Sequence, residues 1–379
     1  MNKKLKKIVR IITAAIIMAL TICYVSCNSD NNFKNNIDLS QIYIIEKNRD
    51  ILYKYNVVTG TYSPLCSDPI CTHELWSDCK FAGAFTIRMD GEWVYFPKED
   101  GLIQGADSKS KMHQSICSYN YVTEEYNILY KIEEISKTGF RGRFEYYDGY
   151  IYFYQGVPDP KVEEFTMSRI NVKTKKVENL DWSYKIWHSV IIGNELIFTD
   201  GIKALFKTDV YFKNRVDLIE VPKSIGNVFM QSADNFVYYE SIETDKAGAK
   251  SELCRVNIKT GENEILLETT RIAYFKIIND YMYYLAEDPE PQIAYVTDYG
   301  EKYYNRYGGK IYRARLDGSE LEIYYENNEQ NLNIKAIENC GKYLVVTYDD
   351  VVKKDGITNY QQSPKKIVFD MEAGHLVRS

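Results

Sequence analysis

Short runs of aromatic and β-branched residues recur along this chain, each followed by a polar stretch and a turn signal. Seven of them open seven units: Ile42-Tyr43-Ile44-Ile45, Trp93-Val94-Tyr95-Phe96, Tyr150-Ile151-Tyr152-Phe153, Leu196-Ile197-Phe198, Phe236-Val237-Tyr238-Tyr239, Tyr281-Met282-Tyr283-Tyr284 and Tyr343-Leu344-Val345-Val346. From Ile42 to Tyr343 the mean step is about 50 residues, the period of propeller blades rather than of helical solenoids. Each unit continues through a loop of variable length into a second strand, a tight turn and a third strand. Tyr53 to Gly60, Arg169 to Thr174, Arg255 to Gly261 and Arg313 to Gly318 show the second strand running into its turn. Thr-Gly and Asp-Gly put glycine where the backbone needs a positive φ to close a hairpin. Asp90-Gly91 and Asp148-Gly149 mark further turns ahead of opening strands. A strand before each of those, such as Phe85 to Met89, makes every unit a four-stranded antiparallel meander.

The runs do not alternate cleanly, and Tyr150 to Tyr154 is apolar or aromatic at every position. A strand apolar on both sides must be covered on both faces. Radial stacking of blades provides that cover, with large rings filling the widening gap between neighbours. The expected fold is therefore all-β, a propeller of seven four-stranded blades over residues 41–379. The spacing also admits six or eight blades, since the fourth unit is weak and the first lacks an obvious innermost strand. An extended β-solenoid and a pair of smaller β domains are the competing architectures.

Ile311-Tyr312-Arg313-Ala314-Arg315-Leu316-Asp317-Gly318-Ser319 resembles the repeat of the YWTD-type propellers of low-density lipoprotein receptors. The chain is also similar to a family of lipoprotein propellers from clostridia-like bacteria. That resemblance implies the fold and a place outside the cytoplasm, and it implies no reaction.

The N-terminus points to the same compartment. Lys3, Lys4, Lys6, Lys7 and Arg10 precede an uncharged apolar run from Ile11 to Cys23, the layout of a secretory leader. Ser26-Cys27 at its end resembles the lipobox of bacterial lipoproteins, in which lipid is attached to the cysteine and cleavage leaves it first in the chain. Tyr24 departs from the aliphatic residue usual at its position. Residues 1–26 are thus expected to be a lipoprotein-type signal peptide, 27–40 a tether, and Cys27 the lipidated residue at the outer face of a membrane. Ordinary secretion and an uncleaved anchor are the alternatives. The leader holds five of the 47 basic residues and none of the 53 acidic ones, so the remainder carries 42 against 53. A surface of that sign repels phosphate backbones, which argues against nucleic acid as a partner.

Function is expected on the face of the long second-to-third-strand loops: Lys98 to Ser115, Gln155 to Phe165, Thr199 to Val216, Glu240 to Ser251, Leu285 to Gly309 and Asp349 to Pro364. The Leu285 to Gly309 loop carries Tyr295, Tyr299, Tyr303, Tyr304 and Tyr307 with Lys302 and Arg306 interleaved. Such tyrosines suit stacking on a sugar ring or a peptide side chain. They equally suit a lid packed on its own blade.

The segment Cys66-Ser67-Asp68-Pro69-Ile70-Cys71-Thr72-His73-Glu74-Leu75-Trp76-Ser77-Asp78-Cys79 places three thiols and an imidazole within fourteen residues. Cys66, Cys71, His73 and Cys79 could hold a structural zinc ion. A disulfide is the other reading, favoured by export to oxidising surroundings, with the odd thiol pairing Cys117 or staying free. Cys254 and Cys340 read as buried apolar residues.

No serine-hydrolase elbow, zinc-protease helix, P-loop or dinucleotide fingerprint occurs, and His113, His188 and His375 are scattered. No cofactor is expected beyond the possible zinc. The sequence reads best as a non-catalytic binding or scaffolding module for an envelope protein, a peptide or a glycan. The rival is a polysaccharide hydrolase or lyase using tyrosines and loop acids such as Asp159, Glu163, Glu287, Asp288 and Glu290, two of which would have to converge.

Overall fold

The computed structural model describes residues 43–48, 51–71, 79–84, 86–104, 110–135, 144–156, 165–180, 186, 188–199, 204–220, 224–225, 231–233, 235–242, 250–287, 292–296, 302–305, 309–326, 332–354, 357–360 and 365–378. Among these there is no helix, and every strand pairing is antiparallel.

Seven small sheets follow one another along the chain. Blade 1 holds Tyr43–Asn48, Ile51–Asn56 and Tyr62–Pro64. Blade 2 holds Arg88–Asp90, Trp93–Gln104, Ser110–Asn120 and Tyr126–Ile135. Blade 3 is Phe144–Tyr147, Tyr150–Gly156, Phe165–Asn171 and Val177–Asn179, and blade 4 is His188–Ile192, Glu195–Thr199, Ala204–Asp209 and Val216–Glu220. In blade 5 two short strands, Ser224–Ile225 and Gln231–Ala233, share the inner edge of Phe236–Ile242, with Lys250–Asn257 and Asn263–Thr270 outside. Blade 6 is Ile272–Ile278, Tyr281–Ala286, Lys310–Arg315 and Glu322–Glu326. Blade 7 is Leu332–Cys340, Tyr343–Lys354, Lys365–Asp370 and His375–Arg378. The aromatic runs are thus the second strands of blades 2 to 7, and in blade 1 the run falls on the first of the three described strands. The weak fourth unit is a complete blade, and among the described residues the first has three strands. Phe85 lies outside the described residues, and the strand expected around it runs from Arg88 to Asp90.

Period-two geometry explains why those runs had to be apolar throughout. In blade 2, Val94 and Phe96 enter a core shared with Ile45 and Leu52 of blade 1, while Tyr95 between them enters a core with Ile151 and Phe153 of blade 3. The rule carries round the ring. Tyr152 faces Leu196 and Phe198 of blade 4, Ile197 faces Val237 and Tyr239 of blade 5, and Tyr238 faces Met282 and Tyr284 of blade 6. Tyr283 and Leu285 then face Leu344 and Val346 of blade 7. The last core, Val345 and Val368 with Ile44, Tyr55 and Val57, joins blade 7 back to blade 1 and closes the circle. Seven blades have seven interfaces, each worth several side chains at roughly 1.5–3 kcal/mol apiece. The protein is a seven-bladed β-propeller.

Tight turns at one end of blades 1, 2, 3 and 5 repeat a single device. Asn56, Asn120, Asn171 and Asn257 each accept two backbone N–H groups of the following turn on Oδ1, at 2.9 to 3.2 Å. A further bond ties that turn to the blade's first hairpin, as from Val172 N–H to the Gly149 carbonyl (3.0 Å) and from Ile258 N–H to the Asn235 carbonyl (2.9 Å). The opposite end of the ring therefore carries both the second-to-third-strand connections and the passages between blades.

Candidate functional site

The first strands of the blades face the axis, and their charged residues meet there. Arg88 of blade 2 grips Glu145 of blade 3 with two parallel bonds, Nε to Oε2 at 2.7 Å and Nη2 to Oε1 at 2.8 Å. Lys276 of blade 6 pairs with Tyr283 directly after a bulge at Tyr274 and Phe275, and it is half-buried. Burial holds its ammonium below the usual lysine range; Glu338 of blade 7 opposes that shift and Arg88 adds to it. Blades 2 and 6 are not neighbours, so this repulsion acts across the channel.

Glu338 belongs to a second cluster at the closing seam. The buried Lys366 ammonium donates to Glu46 Oε2 of blade 1 (2.6 Å) and to Thr347 Oγ1 (2.7 Å), with Glu338 Oε2 at 3.9 Å. Burial raises the Glu338 carboxyl, and the two lysines partly offset this.

Where blades 5 and 6 meet, two carboxylates are wholly buried, Glu240 at 2% exposure and Glu287 at 1%. Glu240 Oε1 accepts the Ile272 amide (2.6 Å). Burial pushes the Glu240 carboxyl up to about 7, against stabilising bonds from Ile272 and Ser251, the Arg271 charge opposing and Glu287 reinforcing the rise. The Glu287 carbonyl accepts the Thr270 hydroxyl, and its amide donates to the Arg271 carbonyl (2.7 Å). Read from sequence, Glu287 belongs to a loop; here it directly follows the strand Tyr281–Ala286 and lies inside the protein. The clue lay in its position, directly after the apolar run Tyr281 to Ala286, just as Glu240 directly follows Phe236 to Tyr239.

The long loops are more ordered than their polar sequence suggests. Within Leu285 to Gly309, Gln292–Val296 pairs with Lys302–Asn305 as a hairpin standing outside the blade 6 sheet. Tyr295 and Tyr303 are register partners, and Tyr304 opposes Ile293. Blade 7 sends up a comparable extension, in which Val351 to Lys354 pairs with Ile357–Tyr360. The strands Gln292–Val296 and Ile357–Tyr360 lie against each other. Tyr299, Arg306, Tyr307 and Cys27 lie outside the described residues, as do residues 1–42 in full.

The thiols do come together. Cys66, Cys71 and Cys79 have their sulfurs within 4.8 Å of one another. They wedge between blades 1 and 2 in a core with Leu65, Phe81 and Tyr119. Burial pushes the Cys79 thiol up to about 12, although the Phe81 amide hydrogen-bonds its sulfur; Cys71 and Cys66 add to the rise. His73 lies outside the described residues. Cys117 sits apart with its sulfur 3.0 Å from the Tyr126 hydroxyl, and Cys254 and Cys340 are buried as expected.

No protein-family model matches the chain, and no curated protein matches it. Solved structures do. An oligogalacturonate lyase in complex with manganese aligns over 78% of this chain and 79% of its own, at 12% identity and a TM-score of 0.51. An uncharacterised protein from Listeria monocytogenes aligns over 90% and 91%, at 12% identity and a TM-score of 0.50. The acylaminoacyl peptidase of Pyrococcus horikoshii gives a TM-score of 0.50 at 10% identity over 84% of this chain, which spans only 46% of the peptidase. At such identities the likeness is one of fold alone.

Proposed function

We propose that this propeller is a non-catalytic binding or scaffolding module, held by lipid on Cys27 at the outer face of a membrane, that recognises an envelope protein, a peptide or a glycan. The reading rests on one observation: adjacent blades 6 and 7 raise hairpins that lie side by side at the end of the long connections. Hairpins whose backbones are already paired cost less to order on binding than open loops, and tyrosine stacks on sugars or peptide groups with few rotors to fix. Acidic pairs that would serve a hydrolase need access to substrate, and Glu240 and Glu287 are both buried.

Replacing residues 288–308 by a short Gly-Ser linker tests the reading. Binding of the full chain to a panel of cell-wall glycans, and its crosslinked partners in intact cells, should be lost while the melting temperature holds. Unchanged binding, or turnover of any glycan on the panel, overturns it. Intact mass from the membrane fraction tests the anchor separately, with a diacylglyceryl-sized increment expected at Cys27.

A further inference from the structure

The three-thiol cluster is separate from the hairpins and asks for an explanation of its own. A pair of cysteines packs readily as two small apolar groups. Three sulfurs from two stretches of chain, mutually within 4.8 Å, form a more specific arrangement. A tetrahedral ion bound at about 2.3 Å from each sulfur sets them roughly 3.8 Å apart, so shifts of under about 1 Å would close this set around a metal. A disulfide would use two of the sulfurs and strand the third inside a core.

The surroundings hold the sulfurs in place from both sides. Leu65 N–H bonds the Leu52 carbonyl (2.9 Å), which fixes Cys66 at the exit of blade 1. The Asp68 side chain and carbonyl cap the turn that leads to Cys71, through Ile70 N–H (3.0 Å) and Cys71 N–H (3.3 Å). Beyond Cys79 the chain is tied to blade 2. Ala84 bridges Lys98, and the Glu99 amide bonds the Gly83 carbonyl at 3.1 Å. Gly83 has φ +77°, and a Cβ there would lie 2.6 Å from the Glu99 carbonyl oxygen, so only glycine permits this approach.

Burial disfavours an uncompensated thiolate here, so a bound cation would have to supply the balancing charge, and one donor already points at the cluster. The Phe81 amide points at the Cys79 sulfur, and an amide donor of this kind favours thiolate over thiol. The Lys80 ammonium is held next door, 4.8 Å from the centre of the Tyr119 ring, and the Lys98 ammonium donates to the Lys80 carbonyl (3.4 Å). A divalent ion with three thiolates leaves one net negative charge, which a neighbouring lysine offsets.

We infer that Cys66, Cys71 and Cys79 form a structural site for a thiophilic divalent cation of the zinc class, joining the exit of blade 1 to the entry of blade 2. Each bond to the metal replaces an S–H bond, so three protons pass to solvent for each ion taken up. The fourth position belongs to another donor.

Cobalt(II) is the probe, because its thiolate complexes absorb strongly and in proportion to the number of sulfurs bound. The full chain is purified under reducing conditions, stripped with chelator and titrated with cobalt(II), then with zinc. Thiolate-to-cobalt absorption should saturate at about one ion per chain and vanish when zinc is added. Cys71 is the most exposed of the three, so Cys71→Ser keeps the fold, which circular dichroism checks. That variant should lose about a third of the absorption and at least tenfold in affinity. Absence of the band in the intact chain overturns the site, whether the three thiols all react freely or two are found joined before reduction. A band unaffected by Cys71→Ser overturns it equally.

Discussion

One arginine motif shows how single residues knit a blade. Arg169 stacks on Tyr150 (4.4 Å from guanidinium carbon to ring centre) and on Tyr211 (4.7 Å), and its Nη2 lies 2.7 Å from Glu178 Oε2. Arg255 repeats this with Phe236 and Glu264, and Arg313 with Tyr281 and Glu322. Each arginine joins an aromatic residue that opens the second strand to a glutamate on the fourth. Arg169→Met is expected to cost about 1–2 kcal/mol, from two partly buried cation–π stacks and one half-exposed ion pair, read by urea unfolding. Glu240 makes a different contribution. Between the ordinary carboxylate value of 4.5 and about 7, the folded chain keeps a proton that the unfolded chain has released. Stability therefore falls as pH rises through that window and levels off above it. Glu240→Gln, which retains an acceptor for the Ile272 amide, should flatten that slope in melts from pH 4 to 8 and stabilise the protein at pH 7 and above. A wild-type curve already flat over the window would refute the burial argument. Both features left traces in the sequence, since a charge set in or directly after an apolar run is visible there. What it faces is not, because that depends on which blade lies next to it.

At the scale of elements, the strand cores were legible and their ends were not. Apolar pattern persists only where a neighbouring sheet covers the strand. Trp93–Gln104, Ser110–Asn120 and Tyr343–Lys354 run on past their apolar stretches as paired strands. Those extensions read as loop in the sequence, because Lys98-Glu99-Asp100 and Asp349-Asp350 interrupt the apolar runs. The same limit hid the Tyr-rich hairpin, whose register rests on backbone pairing. Turn chemistry was easier to read. Asn-x-x-x-Gly at Asn257 to Gly261 puts glycine at φ +75°, whereas the matching position in blade 3 is Lys175 at φ +58°. Lys175→Gly should gain up to about 1 kcal/mol, less what the exposed bond from its ammonium to the Ile128 carbonyl contributes, and Gly261→Ala should lose about 1 kcal/mol to the β-carbon's steric cost. Thermal unfolding of both variants beside wild type gives the comparison.

For the whole molecule, repeat spacing alone pointed to a wheel, and closure needed coordinates. Val345, Val368, Ile44, Tyr55 and Val57 make the seventh interface from residues some 300 positions apart in the chain. If that seam bears the same load as the others, Val368→Ala and Val237→Ala, both fully buried, should each cost about 2 kcal/mol. A negligible cost at Val368 alone would mean a circle left open in solution. Among the described residues each blade is cut from one continuous stretch of chain, so the first and last blades meet through side chains and the Lys366 ammonium, with no strand lent from one to the other. Such a join works like the clasp of a bracelet. Under heat or tension it is the place to part first, and amides of blades 1 and 7 should trade their hydrogens for deuterium sooner than those of blades 3 to 5.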